Sequence, residues 1–524
     1  MTPDVLVAGA GPTGLALALQ AHAHGARVRV IERRAQATRP SHALLMHPGT
    51  LEALRPLQVT RQLLSRAHTV PAIHLHTGSH MVPLRLAALA VPGASLPAPV
   101  LLHQADVEAV LGTALEERGV RIERNTELVE LSQTHDGVQA LLRSRTGVQQ
   151  ARCGFLAGCD GRHSTVRVRS GIGWHDGMYP EEVVLADAEL GGLPSSSPHV
   201  AVARRGIAFA FPYGERAGWR VLATRRAEMV PPWFGHRGPP VAARQLQLLL
   251  RQAGLAVTVR HVAWSEAVRV QHRVAARFRQ GRVFLAGDAA HAQSPALGQG
   301  MNTGIQDALN LGWKLAYDAG TQVRGPLLES YESERQPVAR HQIAVTDLAF
   351  RAEASTSLVA VLLRGTLAPL LRGLPLLMPG LRFLAPRVRR PSPPRVNYRH
   401  SPLSVEAEPR LRGRPRCGER LPDSTVRCEG REVALHALVA SPGVHVLLGR
   451  DAPPLEPSGP HVTVHRLDRP GGAILALRPD GYVGYRSARA DTAALHRWLT
   501  LIGALRGGEY GVGSAADCGE ISRR

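Results

Sequence analysis

Apolar positions along the chain change period several times, and each change marks an element. Asp4–Ala8 is a short apolar run read as a buried strand; Leu15–His24 is helical; Arg27–Ile31 returns to strand and stops at Glu32. A short helix is predicted around Thr50–Arg55. A longer one is predicted over Asp106–Arg118, where Val107, Val110, Leu111, Ala114 and Leu115 share one face. Alternating runs at Glu127–Leu131 and Val138–Leu142 flank Asp136-Gly137, a strong hairpin signal, and Phe155–Cys159 is another short buried strand. Between 175 and 272 the pattern changes. Val183–Leu190, Val200–Arg204, Ile207–Phe211 and Arg220–Thr224 alternate, with one short helix at Gln245–Gln252, so an inserted antiparallel sheet is expected. Its aromatic residues (Phe209, Phe211, Tyr213, Trp219, Trp233, Phe234, Trp264) suit a sheet core or an apolar pocket.

From Gly281 the strand-and-helix pattern of the N-terminal region resumes. Val283–Ala286 reads as a strand, an amphipathic helix begins near Met301, and helices run to about Leu384. Pro386, Pro391, Pro393 and Pro394 mark a linker. Beyond it, strands are predicted near Val433, at Val444–Leu448, Val462–His465 and Ala473–Leu477, then to Tyr485 after the turn Pro479-Asp480-Gly481, with a helix at Thr492–Leu505. The last dozen residues are polar and Gly-rich and are expected to fray. The predicted fold class is α/β: a Rossmann-like nucleotide domain in two pieces (1–174 and 273–390), an inserted antiparallel-sheet substrate domain (175–272), and a small C-terminal α/β domain (395–524).

Two of these turns carry chemistry. Gly9-Ala10-Gly11-Pro12-Thr13-Gly14 joins a strand to a helix, and Glu32 closes the next strand, which is the dinucleotide fingerprint in its proper setting. Gly9 permits the turn, Gly11 lets backbone N–H groups near a pyrophosphate, and Gly14 lets helix and strand touch. Glu32 can accept from both ribose hydroxyls. Gly287-Asp288 sits at a second strand end, before a loop with Pro295, Gly298 and Gly300 and the helix start at Met301-Asn302. A carboxylate for hydroxyls beside a helix N-terminus for an anion suits a polyol-linked flavin. His291 reads as a packed or capping residue.

Composition narrows the partners. The net charge of +21 suggests nucleic acid or an anionic surface, but 62 of the 63 basic residues are arginines, scattered and without interleaved aromatics; only Lys314 is lysine. That pattern argues for coding bias and against nucleic-acid binding. The apolar stretch 357–377 is interrupted by Arg364, Arg372 and Pro369, short of the roughly 18 uninterrupted residues of a membrane span, so no integral membrane segment is expected. Five cysteines form no CxxC and no metal spacing, and no signal peptide is expected before the first strand. A cytoplasmic chain with reduced thiols follows as the expectation.

With a third motif, Gly158-Cys159-Asp160-Gly161-Arg162-His163-Ser164-Thr165-Val166-Arg167, the chain resembles the FAD-dependent aromatic hydroxylases, single-component class A flavoprotein monooxygenases with the p-hydroxybenzoate hydroxylase fold. The resemblance spans about 1–390. The tail around Arg478-Pro479-Asp480-Gly481-Tyr482 is similar to the thioredoxin-like domain of the phenol and polyketide hydroxylase branch, here without a redox CxxC. The resemblance implies FAD as cofactor, NADH or NADPH as co-substrate, and hydroxylation of a phenolic, aromatic or polyketide small molecule by O2 through a flavin C4a-hydroperoxide. It implies that Glu32, with Arg33 following, holds the adenosine ribose; Gln104 approaches the ribityl region; Asp160 lies between the pyrophosphate and the nicotinamide route; Asp288 binds a ribityl hydroxyl; Pro295 lies near the reactive ring edge. The N–H groups around Gly300, Met301 and Asn302 would face flavin O2 and favour its negative charge.

Two positions depart from the family: His42 stands where an arginine usually reaches the FAD phosphates, with Arg39 as a substitute, and Leu297 replaces a glycine beside the ring. No catalytic acid or base is assigned; His47 and Tyr213 read as structural. A flavin dehydrogenase or reductase without oxygen insertion, and a rifamycin-type antibiotic-inactivating monooxygenase, stay open as alternatives, as does a homodimer.

Overall fold

The computed structural model describes residues 2–37, 44–70, 72–77, 80–85, 96, 98–203, 206–213, 216–226, 240–292, 298–321, 325–354, 396–408, 411, 413–455 and 459–505. His42, Arg39, Pro295, Leu297, the proline linker and the polar terminus lie outside the described residues.

The fingerprint strand Val5–Ala8 is the middle of a six-stranded sheet. Spatially the strands run Arg279–Gln280, Val283–Leu285, Phe155–Gly158, Val5–Ala8, Val28–Glu32, Ile122–Arg124. All neighbours are parallel except the first pair. Parallel strands of this kind are covered on both faces, which is why Val5–Ala8 and Phe155–Gly158 read as unbroken apolar runs. The helix Pro12–Ala23 lies against the long helix Gln299–Thr321. Their contact needs glycine: a Cβ on Gly304 would stand 2.4 Å from Thr13 Oγ1, and one on Gly312 would stand 2.9 Å from Leu17 O.

Gly137–Ser144 pairs with Glu127–Thr134 as predicted around Asp136-Gly137, and a third strand, Gly147–Cys153, joins them. The antiparallel sheet is wider than its sequence pattern. Two strands of 18 residues, Trp174–Gly191 and Thr258–Ala275, form its backbone. It also takes in the hairpin Ala72–Thr77/His80–Arg85 and the short strand His291–Ala292. Thr258–Ala275 gives no strand signal in the sequence because Arg, His, Gln and Glu break its apolar alternation. Pairing along its whole length with Trp174–Gly191 overrides that weak local preference. Across the sheet, Asp187 and Arg220 form a buried ion pair, Oδ1 to Nε 2.5 Å.

The C-terminal segment forms a mixed sheet ordered Val405–Glu406, Val483–Ser487, Ile474–Leu477, Val444–Leu448, Val462–Arg466, backed by the helix Thr492–Leu501. It is fastened to the core by buried charge. Glu334, on the helix Glu329–Ala354, accepts from Arg478 (2.6 and 2.8 Å), Lys314 (2.8 Å), Asn310 (2.7 Å) and Ser401 (2.5 Å). Asp480 completes the cluster through Arg478 at 2.6 Å. Burial opposes the charge on Glu334, yet Arg478 and Lys314 hold its carboxyl well below the usual range. Burial lowers Lys314 to about 8.

Glu334→Ala should destabilise the protein by about 3–5 kcal/mol in urea unfolding, because buried Lys314 loses its carboxylate and buried Arg478 keeps only Asp480. Lys314 gives a pH signature. Its folded pKa lies below the unfolded value, so between pH 8 and about 10.4 the unfolded chain holds the extra proton and stability rises with pH. Lys314→Met should abolish that component, seen as a flatter stability profile across this window.

Candidate FAD site

Three separated segments meet at one end of the parallel sheet. In the first, Gly9 has φ +107, and a Cβ there would lie 2.3 Å from Cys159 O; a Cβ on Gly14 would lie 1.9 Å from Gly9 O. These two glycines are required by the protein's own packing. Gly11 differs: nothing lies within 4 Å of its Cβ position. Gly11 is also the N-cap of the helix, with no side-chain cap, Pro12 at its first turn and no acid in that turn. An uncapped helix N-terminus beside open space is a seat for an anion.

Glu32 closes the adjacent strand, and its carboxylate accepts from the N–H groups of Ala10 (2.8 Å) and Arg34 (2.9 Å). It therefore braces the turn as well as ending the strand. Arg33 is exposed beside it. Gln104 begins the helix Gln104–Glu116 and donates to Glu108 at 2.8 Å. Burial raises the carboxyl of Glu108, Gln104 lowers it and Glu32 raises it further, which places Gln104 in the neighbourhood of the fingerprint acid.

Asp160 follows the central strand Phe155–Gly158. Its Oδ2 accepts from Thr165 (2.7 Å) and Val166 (3.1 Å), capping the short helix Thr165–Arg169. Its Oδ1 is buried without a hydrogen-bond partner, and burial raises its pKa. An orphaned carboxylate oxygen in a buried place points to a missing polar neighbour. Gly161, at φ +82, leaves open space beside it.

The third segment is held by a residue that carries no motif. Asp307, fully buried on the long helix, accepts from Gly287 N (3.1 Å), His291 Nε2 (2.6 Å) and Arg335 Nε (2.6 Å). Burial opposes its charge, but Arg335 and His291 keep its carboxyl below the ordinary range. His291 is thus the packed histidine expected. Gly287, at φ +61, has Thr13 Oγ1 2.5 Å from its Cβ position, so the Gly-Asp turn abuts the fingerprint helix. Asp288 stays exposed while Gly287 and Ala289 are buried.

At the start of the long helix, Asn302 donates to Leu45 O and Gly298 O (2.9 Å each) and accepts from His47 N (2.9 Å). Its side chain is spent on the protein. Gly298 has φ +60 and packs on Leu45, Met301 is half-buried, and Gly300 faces open space. Asn302 is among the residues the resemblance places here, whereas Asp307 is not, and its one signal is its position on the helix. Gly304, Asp307, Ala308 and Leu311 share one helical face, and an acid on an otherwise small and apolar face demands partners.

Glycines 9–14, Asp160-Gly161, Gly287-Asp288 and the 298–302 helix start therefore converge. Space opens at Gly11, Gly161 and Gly300, with one orphaned carboxylate oxygen. This arrangement fits a long molecule carrying phosphates and hydroxyls. Among the described residues no group of His, Cys, Asp and Glu could hold a metal.

Comparison with known proteins agrees. The profile of the FAD binding domain family matches residues 2–346. A 6-methylpretetramide 4-monooxygenase of Streptomyces rimosus is 36% identical over 401 residues, covering 76% of this chain and 68% of the relative. The 12-dehydrotetracycline 5-monooxygenase/anhydrotetracycline 6-monooxygenase of the same species is 31% identical, covering 95% and 99%. The solved structure of an anhydrotetracycline hydroxylase from Streptomyces rimosus superposes with a TM-score of 0.72 at 28% identity, covering 96% of this chain and 99% of that one. The chain belongs to the FAD binding domain family of flavoprotein monooxygenases, the aromatic hydroxylases.

Gly11→Ala should sharply weaken FAD binding while leaving the melting temperature of the flavin-free protein within a few degrees, since the added Cβ meets no protein atom within 4 Å. Asp288→Ala should weaken FAD by about tenfold to a hundredfold, the worth of a charged hydrogen bond. Flavin absorbance after gel filtration and fluorescence titration measure both. Unchanged retention in Asp288→Ala would remove that residue from the site.

Proposed function

We propose that this enzyme hydroxylates a polycyclic phenolic substrate of the polyketide type, using O2 and NADPH. The carrying observation is an apolar and aromatic cluster fastened directly to the start of the long helix. Leu44, Val70 and Leu101 are its buried centre, with Leu45, Ile73, Phe211 and Tyr213 packed around them. The ring of Tyr213 lies between His103 (centroids 4.1 Å, stacked) and His68 (3.9 Å). Leu45 is the link: it packs on Gly298, and its carbonyl accepts from Asn302. Flat rings suit a fused aromatic substrate, and the tetracycline-type substrates in the relatives' names have that shape.

In this reading Gly11 and its helix N-terminus hold the FAD pyrophosphate, Glu32 its ribose, Asp288 its ribityl chain, and the 300–302 backbone the flavin carbonyl. FAD, when bound, supplies the oxygen activation. The protein's part is to orient the substrate ring and exclude water. Asp307 fixes the Gly-Asp turn, and Asn302 fixes the pocket wall against the helix.

The choice of NADPH rests on charge. Burial and the charges of Arg162, Arg33, Arg167 and Arg273 together keep the His163 pKa low, so positive charge gathers near His163, two residues past Gly161, with Arg167 and Arg273 packed over Trp174. Such a cluster suits the extra phosphate of NADPH. We assign residues 1–174 and 273–390 to the FAD domain, 175–272 to the substrate domain and 395–524 to a thioredoxin-like domain. For the last, the order of the four main strands supports the assignment: the fourth, third, first and second in sequence lie side by side. Its described thiols, Cys417 and Cys428, are free, and burial pushes both up in pKa, so the domain's role is structural. A cytoplasmic setting suits free thiols.

A panel of phenolic polyketides should reveal substrate-stimulated NADPH oxidation with stoichiometric oxygen uptake and a product gaining one oxygen atom. Turnover without oxygen uptake would favour a reductase. Arg33→Ala with Arg162→Ala should raise KM for NADPH about tenfold or more while leaving KM for NADH nearly unchanged, a charged hydrogen bond being worth about 1.5–3 kcal/mol. Equal effects on both donors would refute the phosphate assignment.

A further inference from the structure

Arg335 is fully buried on the helix Glu329–Ala354, and its guanidinium is gripped on three sides. Nε donates to Asp307 Oδ1 at 2.6 Å, Nη2 to Thr303 O at 3.3 Å and Nη1 to Tyr398 Oη at 2.9 Å. Asp307 and Thr303 lie about one turn apart on the long helix. Tyr398 comes from the segment that leads into the C-terminal sheet through Val405–Glu406. Among the described hydrogen bonds, its oxygen is the one acceptor for Arg335 from outside the two helices.

Tyr398 is itself held by that C-terminal segment. It is 4% exposed. Its N–H donates to Gly418 O at 2.8 Å, and its carbonyl accepts from Ser401 N–H (3.0 Å) and Ser404 Oγ (2.7 Å). Its ring lies 4.3 Å from that of Tyr482, centroid to centroid. Gly418, at φ +77, fits against it only as glycine, because a Cβ there would stand 2.3 Å from Tyr398 C. Backbone and ring are both fixed from the C-terminal side. Burial keeps the phenol protonated despite the charge of Arg335, so a neutral oxygen receives the hydrogen bond.

The other end of this chain of contacts is the Gly-Asp turn. Asp307 gives Oδ1 to Arg335 and Oδ2 to Gly287 N–H (3.1 Å) and His291 Nε2 (2.6 Å). Thr303, whose carbonyl takes Nη2, follows Asn302 at the start of the long helix. A guanidinium is a rigid planar fork, so its three acceptors together define one orientation. Without Tyr398 Oη the fork is free to tilt about the two remaining contacts. The tilt reaches two sides of the candidate FAD site, the turn before Asp288 and the helix start.

We infer that Tyr398 is a positioning residue for FAD, acting through Arg335 and Asp307 on the Gly287-Asp288 turn, a role that rests on that turn seating the cofactor. Coupling of this kind is reciprocal. The C-terminal segment raises FAD affinity, and bound FAD steadies the C-terminal segment, whose structural role thus extends to the cofactor. The next residue, Glu334, supplies the contrast. It grips the same segment through Ser401 and Arg478, and among the described hydrogen bonds it touches neither Asp307 nor the turn.

The test dilutes the FAD-loaded full-length protein and follows flavin fluorescence to obtain the FAD dissociation constant. Tyr398→Phe keeps the ring and should weaken FAD about fivefold or more. Ser401→Ala removes the 2.5 Å bond to Glu334 and should leave FAD affinity within about twofold. In the parent, FAD should slow amide hydrogen exchange across residues 398–404, a measurement that needs no variant. Parent-like affinity in Tyr398→Phe, an equal loss in Ser401→Ala, or exchange indifferent to FAD would overturn the assignment. Asp288→Ala tells the two readings apart. If it binds FAD as the parent does, the seat itself is wrong and the link falls with it; if it loses FAD while Tyr398→Phe does not, the link alone is wrong.

Discussion

The methyl and hydroxyl of Thr13 occupy a space with no room for another side chain on either flank. Gly287 faces it from the strand end and Gly304 from the long helix, and a Cβ on either would come within 2.5 Å of its hydroxyl oxygen. This close approach is what brings the fingerprint turn, the Gly-Asp turn and the long helix to one place. It also explains why Gly312 recurs about two turns beyond Gly304 along the same contact: the two helices run together, and a Cβ on Gly312 would stand 2.9 Å from Leu17 O. Interiors are close-packed and deform in discrete steps, so a single added methyl here would shift a whole helix rather than one loop.

Buried charge performs the second alignment. Asp307 gathers Gly287 N–H, His291 and Arg335 around one carboxylate, and Arg335 reaches on to Tyr398 Oη at 2.9 Å. Beside Arg335 on the same helix, Glu334 gathers Lys314, Arg478 and Asn310. The tail is thus locked to the helices that carry the candidate site. Buried ion pairs contribute little net stability, since desolvation offsets attraction. Their consequence is register: only one docking of the tail pairs every charge. Lys314 illustrates the constraint. Arg478 already takes both oxygens of Glu334 in a fork, and the remaining approach, shared with Asn310, suits a compact ammonium. A chain that otherwise uses arginine throughout has its single lysine there.

The parts legible in the sequence were those specified locally. The strand–turn–helix opening, the strand Val444–Leu448 and the turn at Asp136-Gly137 stand where periodicity and turn chemistry put them. Glycines 9, 11 and 14 divide as the motif implies, two against protein and one against open space. What stayed hidden depends on partners distant in the chain. Thr258–Ala275 is a strand because Trp174–Gly191 pairs with it, and the hairpin at 72–85 joins the sheet through a parallel neighbour 123 residues away from His76. Asp307 has the look of one polar residue in an amphipathic helix. Its role emerges only when Arg335, from the next helix, arrives beside it.

The wall of the proposed substrate pocket rests on a hinge of unusual economy. Leu45 belongs to a two-residue strand, paired with Val100–Leu101, and that strand is tied to the long helix by the Asn302 side chain alone among the described hydrogen bonds that join them. Of the rest of the wall, Ile73 and Phe211 belong to the antiparallel sheet, while Leu101 lies in the small sheet with Leu45. Ile73 and Phe211 are not among the described partners of Thr13 or Asp307, whereas the edge strand of their sheet, His291–Ala292, supplies the His291 that donates to Asp307. A fold arranged in this way holds its cofactor-binding geometry fixed by glycine and buried charge while leaving substrate shape to apolar residues. On the proposed function, substrate shape would be read by pocket residues such as Ile73, Phe211 and Tyr213.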